Sequence, residues 1–378
     1  MKYPIGIQDF EDLQRNGYAY VDKTNFVYKL ADEGKYYFLS RPRRFGKSLF
    51  LSTLEAYFQG KKELFEGLAI YDLETEWKKY PIFHIDLNTA NFREKDSLYT
   101  VLNDYLTTWE SKYGTRESEA TLALRFKGVI ARAAEKEGCG VVILIDEYDK
   151  PILQTLRAPE LQAEHRAQLK AFYSVLKTHD RYIKFAFLTG VTKFGKVSVF
   201  SDLNNLTDIS MDHRYISICG MTEKELLTNF KEGIGELASA NEDNETETID
   251  KLRMRYSGYH FEENSEEIYN PFSVLNTLAN SRYDDYWFKA DTHTFLIDIL
   301  KKHDYCITDL NKAQVKANMM NNVDFNPIPV IYQSGYLTIK SYDERFKNYQ
   351  LGIPNKEVEE GILNTLLPHG CKTAEMDC

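Results

Sequence analysis

Apolar positions along the chain follow two alternating rhythms. Compact β-forming runs occur at Tyr36–Leu39, Tyr80–Leu87, Val141–Ile145, Tyr182–Leu188 and Tyr215–Cys219. Between them lie longer stretches with an apolar residue every third or fourth position. One follows Lys47 and carries Leu51, Leu54, Tyr57 and Phe58; others cover 96–112, 117–137 and 158–179. The first rhythm predicts strands and the second predicts helices. Strand alternating with helix over the first 200 or so positions predicts an α/β fold, a parallel sheet with helices on both faces. His84 alternates with apolar neighbours and is read as lying on a half-exposed strand face, not as a catalytic group.

Beyond Met221 the strands give way to helices. Thr222 and Glu225 have capping-box spacing ahead of Leu226 and Phe230. Further helical periods run over 247–256, 272–280 and 292–302, with the acidic run Asn241–Glu245 as a solvated turn. From Asp309 to about Pro354, helix-like stretches precede two short strands, Tyr336–Lys340 and Tyr349–Ile353, across a polar turn. That order suggests a winged-helix unit. One helix follows Pro354, then a tail without periodicity.

The 378 residues suffice for two or three domains with a substantial core. A formal net charge of −10 argues against a chain-wide cationic surface for nucleic acid, while leaving room for a local basic patch. Such a patch exists in Arg41, Arg43, Arg44 and Lys47. Cys139, Cys219, Cys306, Cys371 and Cys378 show no CxxC spacing, so neither a zinc site nor a disulfide framework is expected. No apolar run reaches membrane-span length, and the start lacks a signal-peptide core. The expected setting is the reducing cytoplasm, with no membrane contact.

The chemistry concentrates where the first apolar run enters Ser40-Arg41-Pro42-Arg43-Arg44-Phe45-Gly46-Lys47-Ser48 and then a helix. A helix N-terminus aims unpaired N–H groups at the loop, Lys47 can reach outer phosphates, and the Ser48 hydroxyl can ligate Mg²⁺. Arg43, Arg44, Phe45, Gly46, Lys47, Ser48 and Leu49 are therefore candidate ATP-binding residues of a phosphate loop (Walker A). Arg41 stands where the motif has its first glycine, and Pro42 has no N–H to donate. For Gly-Lys-Ser alone, a basic surface turn before an ordinary helix is an equal account. The second motif is Val141-Val142-Ile143-Leu144-Ile145-Asp146-Glu147-Tyr148-Asp149, apolar β-formers running into carboxylates. It reads as a strand buried on both faces whose end carries a Walker B pair, Asp146 as metal ligand and Glu147 as the residue orienting water. An acidic turn closing a core strand would explain this segment alone; the two motifs in this order favour the phosphate chemistry.

The strand Tyr182–Leu188 ends in Thr189-Gly190-Val191-Thr192. In additional-strand ATPases a polar group at that tip senses the terminal phosphate, which makes Thr189 a catalytic candidate and Thr192 the second. A helix cap accounts for either threonine equally well. The segment Ile5–Phe10 could line an adenine pocket or simply form a packing arm. No Asn-Lys-x-Asp base-reading segment is present, which argues against a GTPase.

These stretches, with Tyr20-Val21-Asp22-Lys23-Thr24, Leu188–Phe194, Leu203–Asp208, Tyr269-Asn270-Pro271-Phe272 and Ser334–Thr338, make the chain resemble the AAA-ATPase-like family from about Tyr3 to Leu366. In that bacterial family a P-loop ATPase precedes a PD-(D/E)XK nuclease-like domain. The resemblance implies that Arg41 belongs to the family's own loop pattern. It also implies an additional-strand, AAA/STAND-like core over 1–220, a helical lid over 221–303 and a winged helix over 304–354. Residues 355–378 would be a helix and tail, a truncated linker to a nuclease-like domain missing from this sequence. The tripeptides Glu33-Gly34-Lys35 and Glu76-Trp77-Lys78 lack the paired strands and upstream Asp of a nuclease centre, so no nuclease activity is expected. The expected activity is slow Mg²⁺-dependent ATP hydrolysis driving a switch or motor for a partner or nuclease module. A homo-oligomer could supply an arginine finger, with Arg214 and Lys193 as candidate cations. The alternative is a non-hydrolysing nucleotide-binding scaffold that recognises protein or DNA.

Overall fold

The strands that organise the molecule are β1 (Tyr36–Ser40), β2 (Ile82–Asp86), β3 (Val141–Asp146), β4 (Ile183–Gly190) and β5 (Thr207–Asp208). They form one sheet in the order β2-β3-β4-β1-β5, and every pairing is parallel. The computed structural model describes residues 1–193, 205–290, 296, 300, 307–320 and 327–366. Because β4 is inserted between β1 and β3, the loop after β1 and the acidic end of β3 lie two strands apart on the same edge.

The sheet is buried on both faces. Tyr37, Leu39, Val142, Leu144, Phe185 and Phe187 point into one core and Phe38, Ile143, Ile145, Ala186 and Leu188 into the other. The first core takes apolar side chains from α2 (Thr24–Glu33) and α3 (Lys47–Phe58), with α1 (Phe10–Arg15) and α4 (Ala69–Leu73) at its margin. The second is covered by α5 (Ser97–Tyr113), α6 (Leu122–Glu137), α7 (Lys150–Gln154) and α8 (Pro159–Tyr173). The helix expected over 158–179 is divided at Ser174 into α8 and the short α9 (Val175–Thr178). This is the α/β arrangement of a P-loop-like fold.

One expected strand is not a strand. Tyr215–Cys219 falls in a 3-10 turn, His213–Ile218, and the sheet edge beside β1 is β5 instead. Alternation could not separate the two, since Tyr215, Ile216 and Ile218 are buried in either geometry. The turn is favoured locally: Asp212 caps it by accepting from the Arg214 N–H, and the carbonyls of Tyr215 and Ile216 accept from Arg41 rather than from a neighbouring strand.

After β5, β6 (Met221–Thr222) pairs antiparallel with β7 (Ile268–Tyr269). Around this pair α10 (Glu223–Asn229), α11 (Lys231–Ala240), α12 (Glu245–Tyr256) and α13 (Pro271–Asn280) bury a core of their own. The Thr222/Glu225 capping box is formed, and a second at Asn244/Glu247 turns the acidic run into the start of α12. Next come α14 (Tyr286–Lys289), α15 (Ile307–Leu310), β8 (Gln314–Lys316), α16 (Pro327–Gln333), β9 (Thr338–Asp343), β10 (Asn348–Gly352) and α17 (Lys356–Leu366). The helix expected over 292–302 lies outside the described residues except for positions 296 and 300, and so does the tail beyond 366. The two expected late strands are β9 and β10, joined by the unforeseen β8 in a sheet of order β8-β10-β9. Ile339 and Leu351 of this sheet belong to the same buried core as Phe45, Tyr259 and Phe261. Among the described residues no helix is long and apolar enough to cross a membrane.

Candidate functional site

The loop between β1 and α3 is shaped by two left-handed residues, Arg44 (φ 67°) and Gly46 (φ 93°). Glycine reaches that conformation without cost, whereas Arg44 bears about 1 kcal/mol for it. The loop wraps the ammonium of Lys47, which donates to the carbonyls of Arg41 and Pro42 at 3.2 Å each and sits 3.5 Å from Glu147 Oε1. Beneath it the Arg41 guanidinium is 1% exposed. It donates to the carbonyls of Ser40, Ser210, Tyr215 and Ile216 and lies 4.0 Å above the Phe261 ring. Burial pulls its pKa down to about 10, which still leaves it charged at neutral pH. Arg41 thus replaces a glycine with a cation that ties the loop to the chain after β5.

Asp146 closes β3 and accepts from the Glu147 N–H at 2.9 Å and from the Ser48 hydroxyl. Burial pushes its carboxyl up to about 6, the charge of Glu147 adding to the shift. Glu147 itself is left-handed, φ 50°, which turns its side chain out of the strand line towards Lys47. Two residues later the buried Asp149 accepts from the N–H groups of Val191 (3.1 Å) and Thr192 (2.6 Å) and from the Thr192 hydroxyl (2.7 Å). The end of β4 is thereby tied to the turn after β3. A Cβ on Gly190 would come within 2.4 Å of Asp149 Oδ1, so this close approach requires glycine.

A cavity of about 630 Å³ opens over these groups. Its lining includes Pro4–Gln8 of the N-terminal segment and Pro271, Phe272 and Leu275 of α13. Asn88, Arg93, Glu147 and Lys150 add polar and charged groups. Trp287, Ser334 and Tyr336 complete the wall.

Of the residues singled out in the sequence, Arg43, Arg44, Gly46, Lys47, Ser48, Leu49 and Glu147 all line this cavity, with Asp146 directly behind Ser48. Phe45 does not. Its ring is buried 4.9 Å from that of Tyr259 and 5.8 Å from that of Phe261, because an aromatic side chain gains more from that core than from the polar cavity. Thr189 is also displaced: it lies inside β4, fully buried, and its hydroxyl has no hydrogen-bond partner among the described residues. The Thr192 hydroxyl is engaged by Asp149, and Val191 is the residue of this segment on the cavity wall. Ile5, Gly6, Ile7 and Gln8 face the cavity, whereas Phe10 packs against Tyr20 and Phe65 in the core. Lys193 pairs with Asp208 and Arg214 with Asp212, so both candidate cations carry a matched carboxylate. His84 is half-buried, its Nδ1 2.7 Å from Glu55 Oε2.

Sequence reasoning missed the wall residues contributed by distant segments. Tyr269–Phe272 and Ser334–Thr338 carry part of the family resemblance, yet spacing alone could not show that both stretches reach the loop after β1. Among the described residues no group of three or more His, Cys, Asp or Glu side chains could hold a metal by itself.

Residues 4–200 match a family model described as predicted AAA-ATPase. Over 372 residues the chain is 38% identical to a protein of Azotobacter chroococcum mcd 1, named as an uncharacterized protein in the vnfD 5' region. That match spans 97% of this chain and 70% of the relative. The chain therefore belongs to the AAA-ATPase-like family, whose members are predicted AAA-ATPases.

Proposed function

We propose that the protein binds ATP with Mg²⁺ in the 630 Å³ cavity and hydrolyses it slowly, as a switch or motor for a partner. The observation that carries this reading is the meeting of Lys47, at the start of α3, and Glu147, just after β3, on the wall of one cavity. The triphosphate would take the place where Lys47, Arg43, Arg44 and the first N–H groups of α3 converge. The base would lie against Ile5–Gln8 and α13.

The donor set suits Mg²⁺. A serine hydroxyl and a carboxylate lie side by side, both hard oxygen donors, and Mg²⁺ bound with phosphates needs only one or two protein ligands. When bound, the ion would neutralise charge on the phosphate oxygens. Ser48 and Asp146 would hold it. Glu147 would orient the attacking water, and Lys47 would stabilise negative charge on the outer phosphates. In this reading residues 1–220 are the ATPase core, 221–303 a lid and 304–354 a winged helix. Trp287 and Tyr336 would let the later segments sense what the cavity holds.

The test uses purified protein with Mg²⁺ and a fluorescent ATP analogue. Wild type should bind, Lys47→Ala should lose binding, and Glu147→Gln should keep binding while phosphate release falls at least ~100-fold. Absence of ATP binding by wild type, or a Lys47→Ala variant that binds normally, would overturn the reading. Normal binding without phosphate release above background would favour the scaffold alternative.

A further inference from the structure

All strands of the main sheet run parallel, so the loop after β2 opens on the same edge as the loops after β1 and β3. Asp86 of β2 lies in register with Asp146 of β3, which starts that loop level with the acidic end of the neighbouring strand. The loop is clamped from three sides. Lys150 donates to the carbonyl and the side-chain oxygen of Asn88 at 2.7 Å each. The Phe92 N–H donates to Gln154 Oε1 at 2.7 Å, and the Phe92 carbonyl lies 2.9 Å from His165 Nε2. The Phe92 ring is fully buried. The next residue, Arg93, is among the residues that line the same cavity as Glu147.

Three other cations that line the cavity have partners within the protein. Lys47 is held by loop carbonyls, Lys150 by Asn88, and Arg44 lies over the Phe272 ring. Among the described residues the Arg93 guanidinium has no hydrogen-bond or ion-pair partner. A fixed backbone that carries an unmatched arginine on the lining of the cavity that Glu147 also lines is arranged to meet an anion there.

We infer that Arg93 is an arginine finger supplied in cis, contacting the terminal phosphate of the nucleotide. This deepens the ATPase reading and rests on it. In the step itself the water oxygen forms a bond to the γ-phosphorus while the bond from that phosphorus to the β,γ-bridging oxygen breaks. ADP leaves with the bonding electron pair, and the water proton passes to Glu147 or to the departing phosphate. Arg93 neither gains nor loses a proton; its charge offsets the negative charge that grows on the transferred group and the leaving oxygen. The inference also predicts discrimination, because ADP has no terminal phosphate for Arg93 to meet.

The experiment compares wild type, Lys47→Ala, Arg93→Ala and Arg93→Lys for phosphate release and for affinity towards ATP and ADP. Arg93 is exposed, so its substitution should leave the thermal melt unchanged, and this is checked in parallel. Arg93→Ala should lower kcat about 1000-fold, weaken ATP binding about tenfold and leave ADP binding as it was, with Arg93→Lys in between. If wild type turns ATP over too slowly to measure, the ratio of ATP to ADP affinity alone decides. Wild-type turnover and an unchanged ratio in Arg93→Ala would overturn the inference while leaving the ATPase reading intact. Failure of wild type to bind ATP, or indifference to Lys47→Ala, would instead overturn both.

Discussion

The indole Nε1 of Trp287 donates to the carbonyl oxygen of Arg43 at 3.0 Å. A residue of α14 thus holds the backbone of the loop after β1, and Tyr336, with its ring 5.4 Å away, packs against the same indole. Trp287→Phe keeps an aromatic ring and removes the donor. One hydrogen bond of about 1 kcal/mol corresponds to roughly a fivefold loss of ATP affinity. Titration of both proteins with a fluorescent ATP analogue checks this, and equal affinities would show that the contact does not shape the loop.

Arg41 makes a sharper prediction. Replacement by methionine leaves the carbonyls of Ser210, Tyr215 and Ile216 without their donor, at a cost of about 3 kcal/mol. Arg41→Lys keeps the charge but not the planar fork that reaches several carbonyls at once, so it should fall between wild type and methionine. Urea unfolding midpoints measure both. A methionine variant as stable as wild type would mean that those carbonyls find other partners.

The Glu357 carboxyl group is fully buried where α17 meets α13 and α14, accepting from Ser273 Oγ and, at 2.8 Å, from the Trp287 N–H. Burial raises its pKa from 4.5 to about 8, with those hydrogen bonds opposing. Between the two values the folded chain holds a proton that the unfolded chain has released. The stabilisation is complete below the unfolded value and is lost as pH rises through about 8. Stability should therefore fall from pH 6 to pH 9, by at most about 1.4 kcal/mol per pH unit from this group. Glu357→Gln keeps an acceptor and removes the proton, so its urea midpoint should vary less over that range. Equal slopes would count against a protonated Glu357.

What could be read without coordinates was local. The apolar run into Gly46-Lys47-Ser48 and the run into Asp146-Glu147 each announce strand, turn and chemistry within a few residues, and their order implies a shared sheet edge. The capping box at Thr222 is equally local. Tyr215–Cys219 departs from the strand its periodicity predicts because its carbonyls are taken by Arg41, well over a hundred residues away. Phe45 and Thr189 sit in motifs whose spacing puts them near the phosphates, but competition for core burial and the length of β4 decide where each side chain goes. Asn88, Arg93, Trp287 and Tyr336 reach the cavity through tertiary packing, which periodicity does not encode.

The enclosure around the loop after β1 draws on Pro4 at one extreme and Tyr336 at the other. Ribosomal synthesis delivers these in order, so a nascent chain that has just completed β4 can form most of the central sheet while one side of the hollow still lacks its wall. Affinity for the molecule that fills the hollow would then rise only once the chain past Tyr336 has been made, and a ligand present in the cell would favour chains that extend past Tyr336 over shorter fragments.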